Sequence, residues 1–266
     1  MKIGVFDSGL GGLLIAKEIR KQLPDYDYVY FGDTLHLPYG VRSMDTIYGY
    51  CEKIVDYLFR VQNCQIIIVA CNTASAAALR RLQQEYLPTH FPDRRILGVV
   101  IPMLEEADDS NIKNLGLIAT NYMVGSGIYQ EELRKIDPEI EIHQKATPLL
   151  VPLIEYEGDE WIDSVLQSYL QPLVEKGIKG LILGCTHYAI LEEKLAKLLP
   201  ENVTILSQHK IIPLKLTDYL QRHPEIETKL TKNNHVSYLL SDITPSYILA
   251  SERLMQEKIT LQKVVL

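Results

Sequence analysis

Two cysteines stand in matching local settings, far apart in the chain. Residues 65–73 read QIIIVACNT and residues 181–187 read LILGCTH. Cys71 and Cys185 each follow an apolar run and a small residue, and polar residues come directly after each. A lone cysteine after an apolar run is most often a small buried hydrophobe, and the second one in the same setting changes that reading. Two opposed thiols suit the inversion of a carbon that carries a hydrogen, which needs a base on one face and an acid on the other. A thiol can fill either role, since its ordinary pKa is about 8.5 and a helix N-terminus can bring it nearer neutrality. Removing a proton beside a carboxylate also requires hydrogen-bond donors around that carboxylate. Ser8, Asn72, Thr73 and Thr186 are candidates, with backbone N–H groups at strand-to-helix turns.

The elements that must position these residues read as alternating strands and helices. KIGVF (2–6), YVYFG (28–32), QIIIVA (65–70), RILGVV (95–100), NLGLIAT (114–120) and GLILG (180–184) are short apolar runs. Strands apolar on both faces suit a parallel sheet covered by helices. Between them, residues 12–23 put Ile15, Ile19 and Leu23 on one helical face, and residues 44–61 form another helical stretch. The chain also echoes itself. Lys2 and Gly4 match Asn114 and Gly116 at an offset of 112, and the two cysteines are 114 positions apart. Two similar halves are therefore expected. The fold class is α/β: two pseudo-symmetric doubly wound domains with parallel sheets, and an active site in the cleft between them.

The chain of 266 residues carries a formal net charge of −7, which argues against nucleic acid as a main partner but not against a small anionic substrate. The four cysteines, Cys51, Cys64, Cys71 and Cys185, make no CxxC pair. The opening residues lack a signal-peptide core and no apolar run reaches membrane-spanning length, so a reducing cytoplasm, free thiols and no membrane partner are expected. Cys51 and Cys64 have no counterpart and read as helix and core residues.

With FDSGLGG (6–12), GDTLHLPYG (32–40), VACNTASA (69–76), TPLLVPLIEYEG (147–158) and LGCTHY (183–188), the sequence resembles the glutamate racemases, within the wider aspartate/glutamate racemase superfamily. The motifs occur in family order and cover most of the chain. The resemblance implies a two-base racemisation of glutamate that needs no cofactor and no metal, with Cys71 and Cys185 on opposite faces of the α-carbon. It associates Cys71 with the proton of the D-enantiomer and Cys185 with that of the L-enantiomer. Asp7 and His187 would assist the two thiols, and Glu155 would partner His187. Asp7, Ser8, Pro38, Tyr39, Gly40, Asn72, Thr73, Thr120, Thr186 and His187 match positions that hold the substrate. The product, D-glutamate, would feed peptidoglycan synthesis. The resemblance also implies a homodimer and two domains, the first made of residues 1–97 plus 208–266 and the second of 98–207. Aspartate as the substrate, or an inactive amino-acid-binding relative, are the alternatives.

Four departures from the family pattern stand out: Met123, Ala189 after GCTHY, the stretch Leu206-Ser207-Gln208, and SDITPSY (241–247) without a glycine. The chain begins almost at its first strand, so regulation by a cell-wall precursor through an N-terminal extension is not expected. Other chemistries fit less well. GLGG after the first strand fails the dinucleotide pattern because Leu14 takes its last glycine position, and no P-loop GK[ST] follows. Cys71, Cys185 and His187 lack the spacing of a structural zinc motif.

Overall fold

A computed structural model describes residues 1–156 and 158–266. Glu157, within the motif quoted at 147–158, lies outside the described residues. The strands are β1 (Lys2–Asp7), β2 (Tyr28–Gly32), β3 (Cys64–Val69), β4 (Arg95–Gly98), β5 (Asn114–Ala119), β6 (Glu141–Ala146), β7 (Gly180–Gly184), β8 (Thr204–Leu206), β9 (Val236–Leu240) and β10 (Leu261–Lys263). They pair in parallel in two sheets, ordered β10-β9-β2-β1-β3-β4 and β6-β5-β7-β8.

The sequence echo is realised as strand order. Within the first sheet the run β2-β1-β3-β4 repeats the order β6-β5-β7-β8 of the second. Cys71 follows β3 and Cys185 follows β7, so the thiols leave equivalent strands. The matched glycines have a packing reason. Gly4 pairs with Ile67 across β1 and β3, and Gly116 with Leu181 across β5 and β7. A Cβ at Gly4 would come within 3.1 Å of Cys64 Sγ and 3.2 Å of Ile67 Cγ1; one at Gly116 would come within 2.7 Å of Ile178 Cδ1. Each central strand is crowded at that position, and glycine fits it without displacing a neighbour.

Apolar clusters cover both faces of each sheet. In the first sheet, Phe6, Phe31, Ile67 and Val69 pack with the helix Met44–Arg60, while Ile3, Val5, Ile66 and Ile68 pack with the helices Gly12–Gln22 and Gln208–Arg222. In the second, Leu115, Leu117 and Ile182 face one cluster, and Ile118, Leu181 and Leu183 the other. Cys51 and Cys64 are fully buried in the first of these clusters, as expected.

The structure trims and adds to the expected strands. In RILGVV the strand ends at Gly98 and Val100 opens the helix Val100–Asp109. In NLGLIAT the last residue, Thr120, caps a short helix by accepting the Met123 N–H (3.3 Å). Strands β6, β8, β9 and β10 had no expectation. Among the described residues no helix is long and apolar enough to cross a membrane.

Candidate active site

Four strand ends build the site. In a parallel sheet, ligands gather at the C-terminal ends of strands, where loops diverge and helices start. Here β1 delivers Asp7, Ser8 and the turn to Gly12; β3 delivers Cys71, Asn72 and Thr73; β5 delivers Thr120; and β7 delivers Cys185, Thr186 and His187.

The Cys71 thiol donates to Ser8 Oγ (3.3 Å), and its sulfur accepts the Ala74 N–H (3.4 Å) at the start of the helical run 72–90. Burial pushes the Cys71 thiol up to about 12, and the Asp7 carboxylate adds to that. Charge on Cys185 acts in the same direction, so the two sulfurs sense one another. Asp7 is wholly buried. Its Oδ1 accepts the Gly9 N–H (2.9 Å) and its Oδ2 the Thr186 hydroxyl (3.3 Å), a bond that joins the two sheets' loops. Burial raises the Asp7 pKa against the opposing effects of His187 and these donors.

Around the second thiol the arrangement differs. Cys185 Sγ lies 3.8 Å from His187 Nδ1, and His187 Nε2 donates to Glu155 Oε1 (3.0 Å). Burial disfavours the imidazolium. Hydrogen bonds and charge from Cys185 and Glu155 outweigh it and hold His187 well above its ordinary pKa. His187 thus spans a sulfur and a carboxylate, with one ring nitrogen on each, which suits a proton shuttle.

Other expected residues join this group. Thr73 Oγ1 and Thr120 Oγ1 are 3.3 Å apart across the cleft. A Cβ at Gly40 would stand 3.6 Å from Thr120 Cβ, so Gly40 borders the same cleft, while Pro38 is exposed beside it. Tyr39 is buried, and its hydroxyl donates to Asp33 Oδ2 (2.6 Å). Gly11 explains the tightness of the first turn. A Cβ there would meet Thr186 Oγ1 at 2.4 Å and His187 Nδ1 at 2.6 Å. A cavity of about 640 Å³, lined by Tyr48, Arg81, Glu105 and Lys215 among others, lies elsewhere and neither thiol borders it.

The model of the Asp/Glu/hydantoin racemase family matches residues 14–211, which include both thiols. The chain belongs to the Asp/Glu/hydantoin racemase family. Within that racemase family it is 38% identical over 238 residues to the glutamate racemase of Roseobacter denitrificans, covering 84% of this chain and 87% of the relative. The Sulfurihydrogenibium sp. glutamate racemase is 42% identical over 230 residues, covering 82% and 85%. The crystal structure of the Francisella tularensis glutamate racemase in complex with D-glutamate superposes with a TM-score of 0.88 at 33% identity, over 99% of this chain and 97% of that one.

Several residues of this racemase-family site carried no expected role. Asp33 accepts from Tyr39, from Ser241 Oγ (2.7 Å) and from His36 Nδ1 (2.9 Å), and so fixes the loop that carries Gly40. Asp33 lies inside GDTLHLPYG, so the motif marked the place without giving the function. Tyr30 donates to the Gly9 carbonyl (2.7 Å) beneath the first turn. Tyr129 and Gln208 bond to Asn72; Tyr129 stands in no quoted motif, and Gln208 only in the departing stretch Leu206-Ser207-Gln208.

Proposed function

We propose that this chain is a glutamate racemase that works by two-base proton transfer between Cys71 and Cys185. The observation that carries the reading is the pair of thiols at the ends of equivalent strands in two like sheets, each with its own acid–base neighbour. From L-glutamate, the Cys185 thiolate takes the α-proton and becomes a thiol. The electron pair left on the α-carbon delocalises into the carboxylate, where N–H and O–H donors stabilise it. The Cys71 thiol then gives its proton to the opposite face and becomes the thiolate. The reverse sequence converts D-glutamate.

Asp7 and His187 are the groups that relay protons to and from the thiols between turnovers, and Glu155 holds His187 in orientation. The D-glutamate formed would supply peptidoglycan synthesis. Four free thiols support work in a reducing cytoplasm. A homodimer belongs to the same reading; a monomer mass from solution scattering would rule it out.

The test is conversion of L-glutamate in heavy water with nothing added, followed by optical rotation and by mass. Wild type should lose rotation and incorporate solvent deuterium at the α-carbon; Cys71→Ala and Cys185→Ala should each abolish net inversion. Faster inversion of aspartate would replace the substrate. No exchange with either acid, from folded protein, would overturn the reading.

A further inference from the structure

Asn72 follows Cys71 directly, and two buried residues distant in the chain hold its carboxamide. Its Oδ1 accepts the Tyr129 hydroxyl (2.8 Å) and Gln208 Nε2 (2.7 Å), and its Nδ2 donates to Gln208 Oε1 (2.9 Å). Tyr129 is 0% exposed, Asn72 2% and Gln208 3%, so these bonds are shielded from water. Tyr129 lies on the helix Ile128–Ile136, between β5 and β6 of the second sheet. Gln208 opens the helix Gln208–Arg222, just after β8. Burial, and then charge on Cys185, push the Tyr129 phenol up.

Donor and acceptor roles match throughout this network. The Tyr129 hydroxyl gives its hydrogen to Asn72 Oδ1. Turning Asn72 alone would set its Nδ2 against Gln208 Nε2, donor against donor. In the orientation described, both lone pairs of Oδ1 are occupied and one Nδ2–H remains, so Asn72 offers a ligand a single donor, which suits a carboxylate oxygen.

We infer that Tyr129 and Gln208 are positioning residues, which lock the Asn72 carboxamide so that its free N–H meets a carboxylate oxygen of the substrate. The inference rests on the racemase reading above. A donor to the carboxylate also meets the charge that gathers there during proton transfer, so displacing it lowers kcat as well as raising KM.

The experiment is a pair of double-mutant cycles: Tyr129→Phe and Gln208→Leu, each alone and combined with Asn72→Ala, assayed with L- and D-glutamate. Each single change should lower kcat/KM about tenfold, shared between KM and kcat, the size of one lost hydrogen bond. In the Asn72→Ala background the same changes should cost less than about twofold, because the residue they position is gone. Equal losses in both backgrounds would mean a general structural role and overturn the inference, as would unchanged kcat/KM in the singles. Tyr129→Phe removes one oxygen and decides the matter if Gln208→Leu does not fold. Calorimetric binding of D-glutamate to the same proteins separates the two readings. Binding that follows the cycle without turnover would overturn the racemase reading and keep the clamp; wild type that neither binds nor turns over would overturn both.

Discussion

Cys71 sits against Asp7 and Ser8, whereas Cys185 sits against a histidine tied to Glu155. Burial and Asp7 push the Cys71 thiol up to about 12, which favours its protonated form. That is the form needed to protonate the carbanion made from L-glutamate. The difference invites a directional test, but enantiomers have equal free energies in water, so kcat/KM must be the same in both directions for every variant. Replacing His187 by Asn should lower kcat/KM roughly 100-fold or more for both enantiomers, the scale of one acid–base group. The asymmetry will show in isotope effects. With His187→Asn, proton transfer at Cys185 becomes the slower step, and α-deuterated L-glutamate should give the larger effect. With Asp7→Asn, α-deuterated D-glutamate should give it. The same pattern from both variants would contradict the assignment of each helper to its thiol.

At the scale of elements, the site depends on how closely the β1 turn approaches the β7 turn. Gly11→Ala would drive a methyl into the Thr186 and His187 side chains, which are buried and hydrogen-bonded to Asp7 and Glu155. Misplacing a catalytic group by about 1 Å can cost 100-fold, so kcat/KM should fall by about that much. Gly125→Ala, where an added Cβ meets nothing within 4 Å, should leave kinetics unchanged and raise the melting temperature slightly. Steady-state rates with thermal melts on both variants check the contrast. The elements around these turns were legible because β1, β2, β3, β5 and β7 are buried on both faces and read as unbroken apolar runs. Strand β6, EIHQKA, was not: it is a half-exposed edge strand of mixed polarity, held by its pairing to β5. Strands β8 and β10 are three residues each, too short for a period to show. The thiols and their helpers were legible because chemistry confines them to short motifs beside strand ends. Tyr129 and Gln208 were not, since they lie 57 and 136 positions from Asn72 and meet it only in the folded chain.

For the whole molecule, the first sheet is completed by strands from the far end of the chain, and one buried acid ties that return. Asp27 stands just before β2 and is 6% exposed. It accepts from Thr231 Oγ1 (2.5 Å), Asn233 Nδ2 (2.8 Å), the Asn233 N–H (3.1 Å) and the His235 N–H (3.0 Å), all in the segment leading into β9. Burial alone would raise its pKa, but these donors together hold the carboxyl down to about 2. An acid depressed in the folded state stabilises the fold above its unfolded pKa of about 3.9, and that stabilisation is lost as pH falls through about 2. Asp27→Asn keeps the shape but removes the charge and sets an N–H₂ against at least one donor. Hydrogen bonds to a charged group contribute roughly 2 kcal/mol each, so the substitution should lower the melting temperature at pH 7 by about 4–8 °C. Near pH 2 wild type has itself lost much of the contribution, and the two proteins should melt closer together. Thermal unfolding of both across pH 2–7 measures the gap; one that stays constant, or widens toward acid, would show that the Asp27 charge does not anchor the C-terminal strands.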